Sequence, residues 1–138
     1  MKVLVDTCAW SLLLRRRRKA PFSENERLMI AALTEAIQDG RVAIIGPIRQ
    51  EILSGIKEAS QFEKLRSALE PFRDEQLTTV HYEEAARLFN LCRGRGVECG
   101  ATDVLICAVA VKMRWAILTS DGGLQRCIEA LRAAGIIQ

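Results

Sequence analysis

The chain has a single histidine, His81, and five cysteines, no two of which stand in a Cys-x-x-Cys pair. One imidazole and no clustered thiolates exclude His-based and thiolate zinc sites. The odd cysteine count argues against a disulfide framework, and free buried thiols in a reducing compartment are expected for Cys8, Cys92, Cys99, Cys107 and Cys127. No apolar run approaches the ~20 residues that cross a bilayer, because Arg and Lys interrupt even VLICAVAVKMRW. No hydrophobic leader precedes the first acid, so a cytoplasmic location is expected. No repeat, linker or low-complexity tract divides the 138 residues, which are read as a single domain over 1–138. No serine stands evidently beside a base, so a hydroxyl nucleophile is not expected either.

What the chain does have is carboxylates at telling places. Asp6 closes VLVD and Asp121 follows AILTS, each after a short apolar run that suits a buried strand. Glu51 in PIRQEIL and Asp103 in ATDVLICAVA sit near the starts of helix-like segments. In an open α/β sheet, ligands bind beyond the carboxyl ends of the strands, so residues at these junctions can meet despite their separation in sequence. Four carboxylates held close repel one another unless protons or cations neutralise them, and hard oxygen donors suit Mg²⁺ or Mn²⁺. The alternative for each acid singly is a helix or turn cap.

Net charge is +3, with 49% hydrophobic and 27% charged residues, the balance of a globular chain. The positive charge is uneven: Arg15, Arg16, Arg17, Arg18 and Lys19 form one unbroken run. Such a run reads either as a solvated face or, lying so close after Asp6, as a positive rim that steers the phosphates of a polyanionic substrate toward the acids.

The order of elements is expected to alternate. KVLVD predicts a strand, TCAWSLLL a short helix, and Ser23 with Glu26 a capping box before a helix that stops at Gly40. RVAII predicts a second strand, with Pro47 opening the helix that carries Glu51. Ser60 with Glu63 predicts another capping box, and QLTTV a third strand. His81 is read as a structural or capping residue. TDVLICAVAVKM predicts a helix buried on both sides, WAILTS a fourth strand, GGLQRCIEALRAAG a last helix, and IIQ a possible edge strand. Together these predict a three-layer α/β/α sandwich around a parallel sheet of four to five strands.

Order, spacing and context of VDTCAWSLLLRR, the Glu51 helix, ATDVLICAVA and ILTSD resemble a PIN-domain ribonuclease, specifically the VapC toxin of a type II toxin–antitoxin pair, over essentially the full length. The resemblance implies that Asp6, Glu51, Asp103 and Asp121 form the acidic metal site, with Thr7 and Thr119 as supporting hydroxyls. Asp6 and Asp103 are the first choices for direct ligands of Mg²⁺ or Mn²⁺, because a strand end and a buried helix are rigid supports. Glu51 and Asp121 are assigned to outer-sphere contacts, water orientation or a second metal. The resemblance further implies endoribonuclease activity, a homodimer and a cognate antitoxin lying across the acidic groove. Many members carry a second acid two places after the fourth, where this chain has Gly123, and a serine where it has Cys8. A haloacid-dehalogenase reading needs a second Asp at position 8, and a receiver-domain reading needs a phosphoacceptor in QLTTVHY. The chain offers neither. The remaining rival is a PIN fold without turnover that binds RNA or a partner.

Overall fold

A computed structural model describes residues 1–14 and 20–138. Three short parallel strands make the sheet: β1 (Val3–Val5), β2 (Val42–Ala43) and β3 (Ala116–Leu118), in the order β2-β1-β3. Leu4 of the central strand faces Ala43 on one side and Ile117 on the other. Both Leu4 and Val5 are fully buried. The chain passes from β1 to its neighbour on one side, β2, and then across to its neighbour on the other, β3, so the carboxyl ends of β1 and β3 border the switch point of the sheet.

Seven helices surround these strands among the described residues. α1 (Thr7–Leu14) packs on α2 (Glu24–Gln38) and α3 (Gly46–Leu53), and α3 packs on α4 (Ala59–Leu69). α5 (Thr79–Gly94), α6 (Ala101–Met113) and α7 (Gly122–Ala133) pack on one another as a second group. The α2 capping box forms as expected: Ser23 N–H donates to Glu26 at 2.8 Å and Glu26 N–H to the Ser23 hydroxyl at 3.2 Å. Gly40 takes the left-handed conformation (φ 68°) that ends this helix, at no steric cost to glycine. α6 is buried without a break from Val104 to Ala110, as its all-round apolar sequence requires. Each large side chain so buried stabilises the fold by ~1.5–3 kcal/mol.

The α/β reading holds, while the expected sheet of four to five strands is too large. QLTTV is not a strand: its neighbourhood keeps a single bridge, Ile44 to Asp74, and Thr78 becomes the N-cap of α5. Thr78 N–H donates to His81 Nδ1 at 3.0 Å, so the histidine does act as a capping residue. Threonine suits both strands and N-caps, and here the cap prevails. The Ser60–Glu63 box is also absent. α4 begins one residue before Ser60 with Glu58 as its N-cap, and Glu63 instead receives Arg66 at 3.0 Å along the helix. IIQ forms no strand, because the Ile136 and Ile137 amides turn back onto the Leu131 carbonyl.

The free-thiol reading needs correction at one pair. Cys99, before α6, and Cys127, in α7, are joined in a disulfide with Cα atoms 6.0 Å apart. Their 28-residue separation hides a proximity that only α6–α7 packing creates. Cys92 and Cys107 remain free and buried. Burial, with Cys92 and Asp103 nearby, pushes the Cys107 thiol up to about 12, which makes it inert at neutral pH.

Candidate active site

Asp6 is the first residue beyond β1, and its amide extends the sheet by donating to the Leu118 carbonyl at 3.0 Å. It is the one buried charged residue among those described, at 8% exposure. Burying a carboxylate is costly unless donors satisfy it. Thr7 N–H donates to Oδ1 at 2.8 Å, the Thr119 hydroxyl to Oδ2 at 2.7 Å, and the Cys8 thiol to Oδ2 at 3.6 Å.

Thr119 lies just past β3 and joins two of the acids. Its hydroxyl donates to Asp6 and accepts the Asp121 N–H at 3.0 Å. Asp121 in turn caps α7, its Oδ2 accepting the Leu124 N–H at 2.9 Å. The capping reading of this acid is therefore correct for one of its oxygens. Oδ1 has no hydrogen-bond partner among the described residues and is available to a ligand or a bound water.

Asp103 enters from the first turn of α6, held there by the buried body of that helix. Burial foremost, and then the charge on Asp121, raises its carboxyl above the ordinary carboxylate value, with Asp6 and Glu51 adding to the effect. A backbone hydrogen bond from Gly100 opposes the rise. The charges of three acids that stand far from it in sequence thus reach Asp103. Glu51 is exposed on α3, whose orientation is fixed by Arg49: its Nε pairs with Asp74 at 2.8 Å, and its Nη1 and Nη2 donate to the Leu69 and Phe72 carbonyls.

Among the described residues, no three Asp, Glu, His or Cys side chains are drawn together tightly enough to cage an ion. The donor set nonetheless suits a hard divalent cation, since Mg²⁺ commonly keeps several waters and needs only one or two carboxylates. A cation would also offset the charges of Asp121, Asp6 and Glu51 that add to the effect of burial on Asp103.

The profile of the PIN domain family matches residues 3–128. The chain belongs to the PIN domain family. A crystal structure of FitAcB from Neisseria gonorrhoeae shares the fold at a TM-score of 0.68 and 21% identity, covering 91% of this chain and 92% of that one. No relative is found among curated proteins.

Of the supporting residues expected in this PIN domain, Thr119 bridges Asp6 and Asp121, whereas the Thr7 hydroxyl is buried without a partner among the described residues. Thr7 contributes through its amide instead. The basic run from Arg15 to Lys19 lies outside the described residues. Two contributors were not foreseen. Cys8 lies within 3.6 Å of Asp6 Oδ2 and of the Thr119 hydroxyl, and its sulfur accepts the Ser120 amide at 3.3 Å. Arg126 lies over the start of α7, and its position one helical turn after Gly122 is the signal that could have found it.

Proposed function

We propose that this PIN domain is a metal-dependent endoribonuclease of the VapC toxin type, hydrolysing RNA phosphodiester bonds. Family membership supports nuclease chemistry in general. The observation that carries the finer reading is the convergence on Asp103, whose carboxyl is raised by its burial and by the charges of Asp121, Asp6 and Glu51 around it. Such a concentration of carboxylates is unfavourable for the apo fold alone and suits a site that receives a cation.

A bound Mg²⁺ or Mn²⁺ would supply Lewis-acid stabilisation of the phosphate and a bound water of lowered pKa. The residues around it have separate tasks. Asp6 and Asp103 would hold the ion, the first fixed by three donors and the second by its buried helix. Asp121, with one oxygen committed to the α7 cap, and Glu51, exposed on α3, would orient water near it. Thr119 keeps Asp6 and Asp121 in register through one hydroxyl. The test is cleavage of a single-stranded RNA by purified protein with Mg²⁺, with EDTA, and after Mg²⁺ is restored. Activity is expected only with the metal, and full cleavage in EDTA would refute the metal-dependent reading. RNA that is bound yet never cut in Mg²⁺ or Mn²⁺ would favour the binding-module alternative.

The basic run belongs to the same proposal as the RNA-steering element. Replacing Arg15 through Arg18 by Gln is expected to weaken RNA binding and flatten its salt dependence, by roughly 0.7 in log–log slope for each phosphate of a single strand that is no longer neutralised. Binding titrations from low to high salt measure this, and an unaltered slope assigns the run to a solvated face.

A homodimer and an antitoxin that lays a basic side chain across the acidic groove complete the proposed toxin. Support for a protein contact lies on α5, where Val80 and Tyr82 are 53% and 55% exposed. Beside them Tyr82, Ala86 and Phe89 line an open apolar cleft of about 450 Å³ against α6. Exposed apolar surface of this kind is a common feature of association sites. A cytoplasmic location is part of the same reading. No helix among the described residues is long and apolar enough to cross a membrane.

A further inference from the structure

We propose that Arg126 binds a phosphate of the RNA at the edge of the acidic site, its guanidinium laid over Gly122 and Gly123 beside Asp121 and Asp103. The inference rests on the nuclease reading and names a substrate contact within it.

Long side chains in a helix point back toward its N-terminus and cover the preceding turn. Arg126 is four residues after Gly122 in α7 and does this. Its Nη1 lies 3.5 Å from where a Cβ on Gly122 would stand, and its Nη2 3.9 Å from where one on Gly123 would stand. That same Gly123 position is 3.2 Å from Asp121 Oδ2 and 3.9 Å from Asp103 Oδ2. A guanidinium and two site carboxylates therefore border the bare backbone of one glycine.

Some arginines elsewhere in the fold are engaged, Arg49 with Asp74 and Arg66 with Glu63 and Glu70. Arg126 is exposed and has neither an ion pair nor a hydrogen bond among the described residues, although acids are close by. Its fork of donors is free, planar and always charged, the form that matches phosphate oxygens bidentately. The glycines matter for the same reason. An acid at position 123 would stand among the guanidinium and the two carboxylates and would pair with Arg126, whereas glycine leaves both the cation and the approach to it open. RNA cleavage at the carboxylates brings phosphates to this edge. A cation there offsets the repulsion between the RNA backbone and four acids.

The test uses the full chain with a fluorescent single-stranded RNA of mixed sequence. Cleavage kinetics in Mg²⁺ are compared for wild type, Arg126→Gln and Arg126→Lys, and binding is titrated against salt. Arg126→Gln is expected to lower kcat/KM about 10- to 100-fold, the usual scale for losing charge-assisted hydrogen bonds. Most of that loss should fall on KM. The log–log salt slope should drop by roughly 0.7, and the melting temperature should not move. Arg126→Lys keeps the charge without the fork and should recover part of the loss. Wild-type kinetics and slope in Arg126→Gln overturn the proposal while leaving the nuclease reading intact. A fall in melting temperature that accounts for the lost activity, with no change in slope, also overturns it in favour of a structural role. If wild type binds the RNA without cutting it and Arg126→Gln still lowers the slope, the phosphate contact stands and the nuclease reading fails.

Discussion

Asp103→Asn is expected to abolish RNA cleavage while leaving the protein folded and, without metal, at least as stable as wild type. The substitution keeps the volume and removes one charge from a carboxylate whose neighbours Asp121, Asp6 and Glu51 all disfavour that charge. Lewis-acid stabilisation is worth several kcal/mol, and each ~1.4 kcal/mol is tenfold in rate, so a loss of about 10²- to 10³-fold or more is expected. The stability change has the opposite sign. A carboxyl raised in the folded state above its unfolded value binds a proton more readily when folded. Its charge therefore destabilises the fold at pH above the folded value, and that penalty disappears as pH falls below the ordinary carboxylate value. Metal-free wild type should thus melt at or below the Asn variant near neutral pH, and the difference should close on acidification. Added Mg²⁺ should raise the melting temperature of wild type more than that of the variant, because a ligand stabilises only the state that binds it. Cleavage retained at saturating Mg²⁺ would remove Asp103 from the ligand set.

The parts of the fold that could be read from the sequence are those fixed by local chemistry. Ser23 with Glu26, Gly40 at positive φ and Pro47 at the start of α3 each act within a few residues of their own position, and each behaves as its residue type dictates. α6 was legible because its apolar residues leave it no exposed face. The sheet was overcounted for the converse reason: short β-branched runs such as QLTTV suit a strand, a cap or an extended loop, and only the neighbouring chain decides among them. With Thr78 committed to His81 and Ile44 to Asp74, QLTTV had a better use as the entry to α5.

The site divides along the same line. Asp6, Asp103 and Asp121 could be picked out as candidates because each stands at a strand end or helix start, positions that an α/β topology collects at one edge, whereas Glu51 falls in the second half of α3. The interactions that tune them were not visible, because they depend on side-chain direction. Thr119 reaches Asp6 across 113 residues of sequence and meets Cys8 across 111, at a sheet edge only three residues long. Arg126 required knowing that nothing projects from positions 122 and 123 beneath its guanidinium.

Loss of the Cys99–Cys127 disulfide is expected to destabilise the protein by about 3.5 kcal/mol, the chain-entropy figure for a loop of this length. For a domain of this size that corresponds to a fall of ~10 °C or more in melting temperature. The bond joins the segment just before α6 to the middle of α7, so it spans the two helices that bring Asp103 and Asp121 into the site. Cys99 is four residues before Asp103, and Cys127 is six after Asp121 and next to Arg126. Reduction therefore loosens the fold beside the carboxylates, and RNA cleavage should become more temperature-sensitive even where the reduced protein stays folded. A reducing compartment would hold the same pair as thiols, which gives the comparison a direct bearing on the proposed cytoplasmic role. Cys127→Ser, and wild type with and without a thiol reductant, should be melted side by side, with free thiols counted by mass after alkylation. Reductant should lower the melting temperature of wild type to near that of Cys127→Ser and leave the variant unmoved. Equal melting temperatures for the oxidised wild type and the variant would mean that α6–α7 packing holds this corner of the fold without the bond.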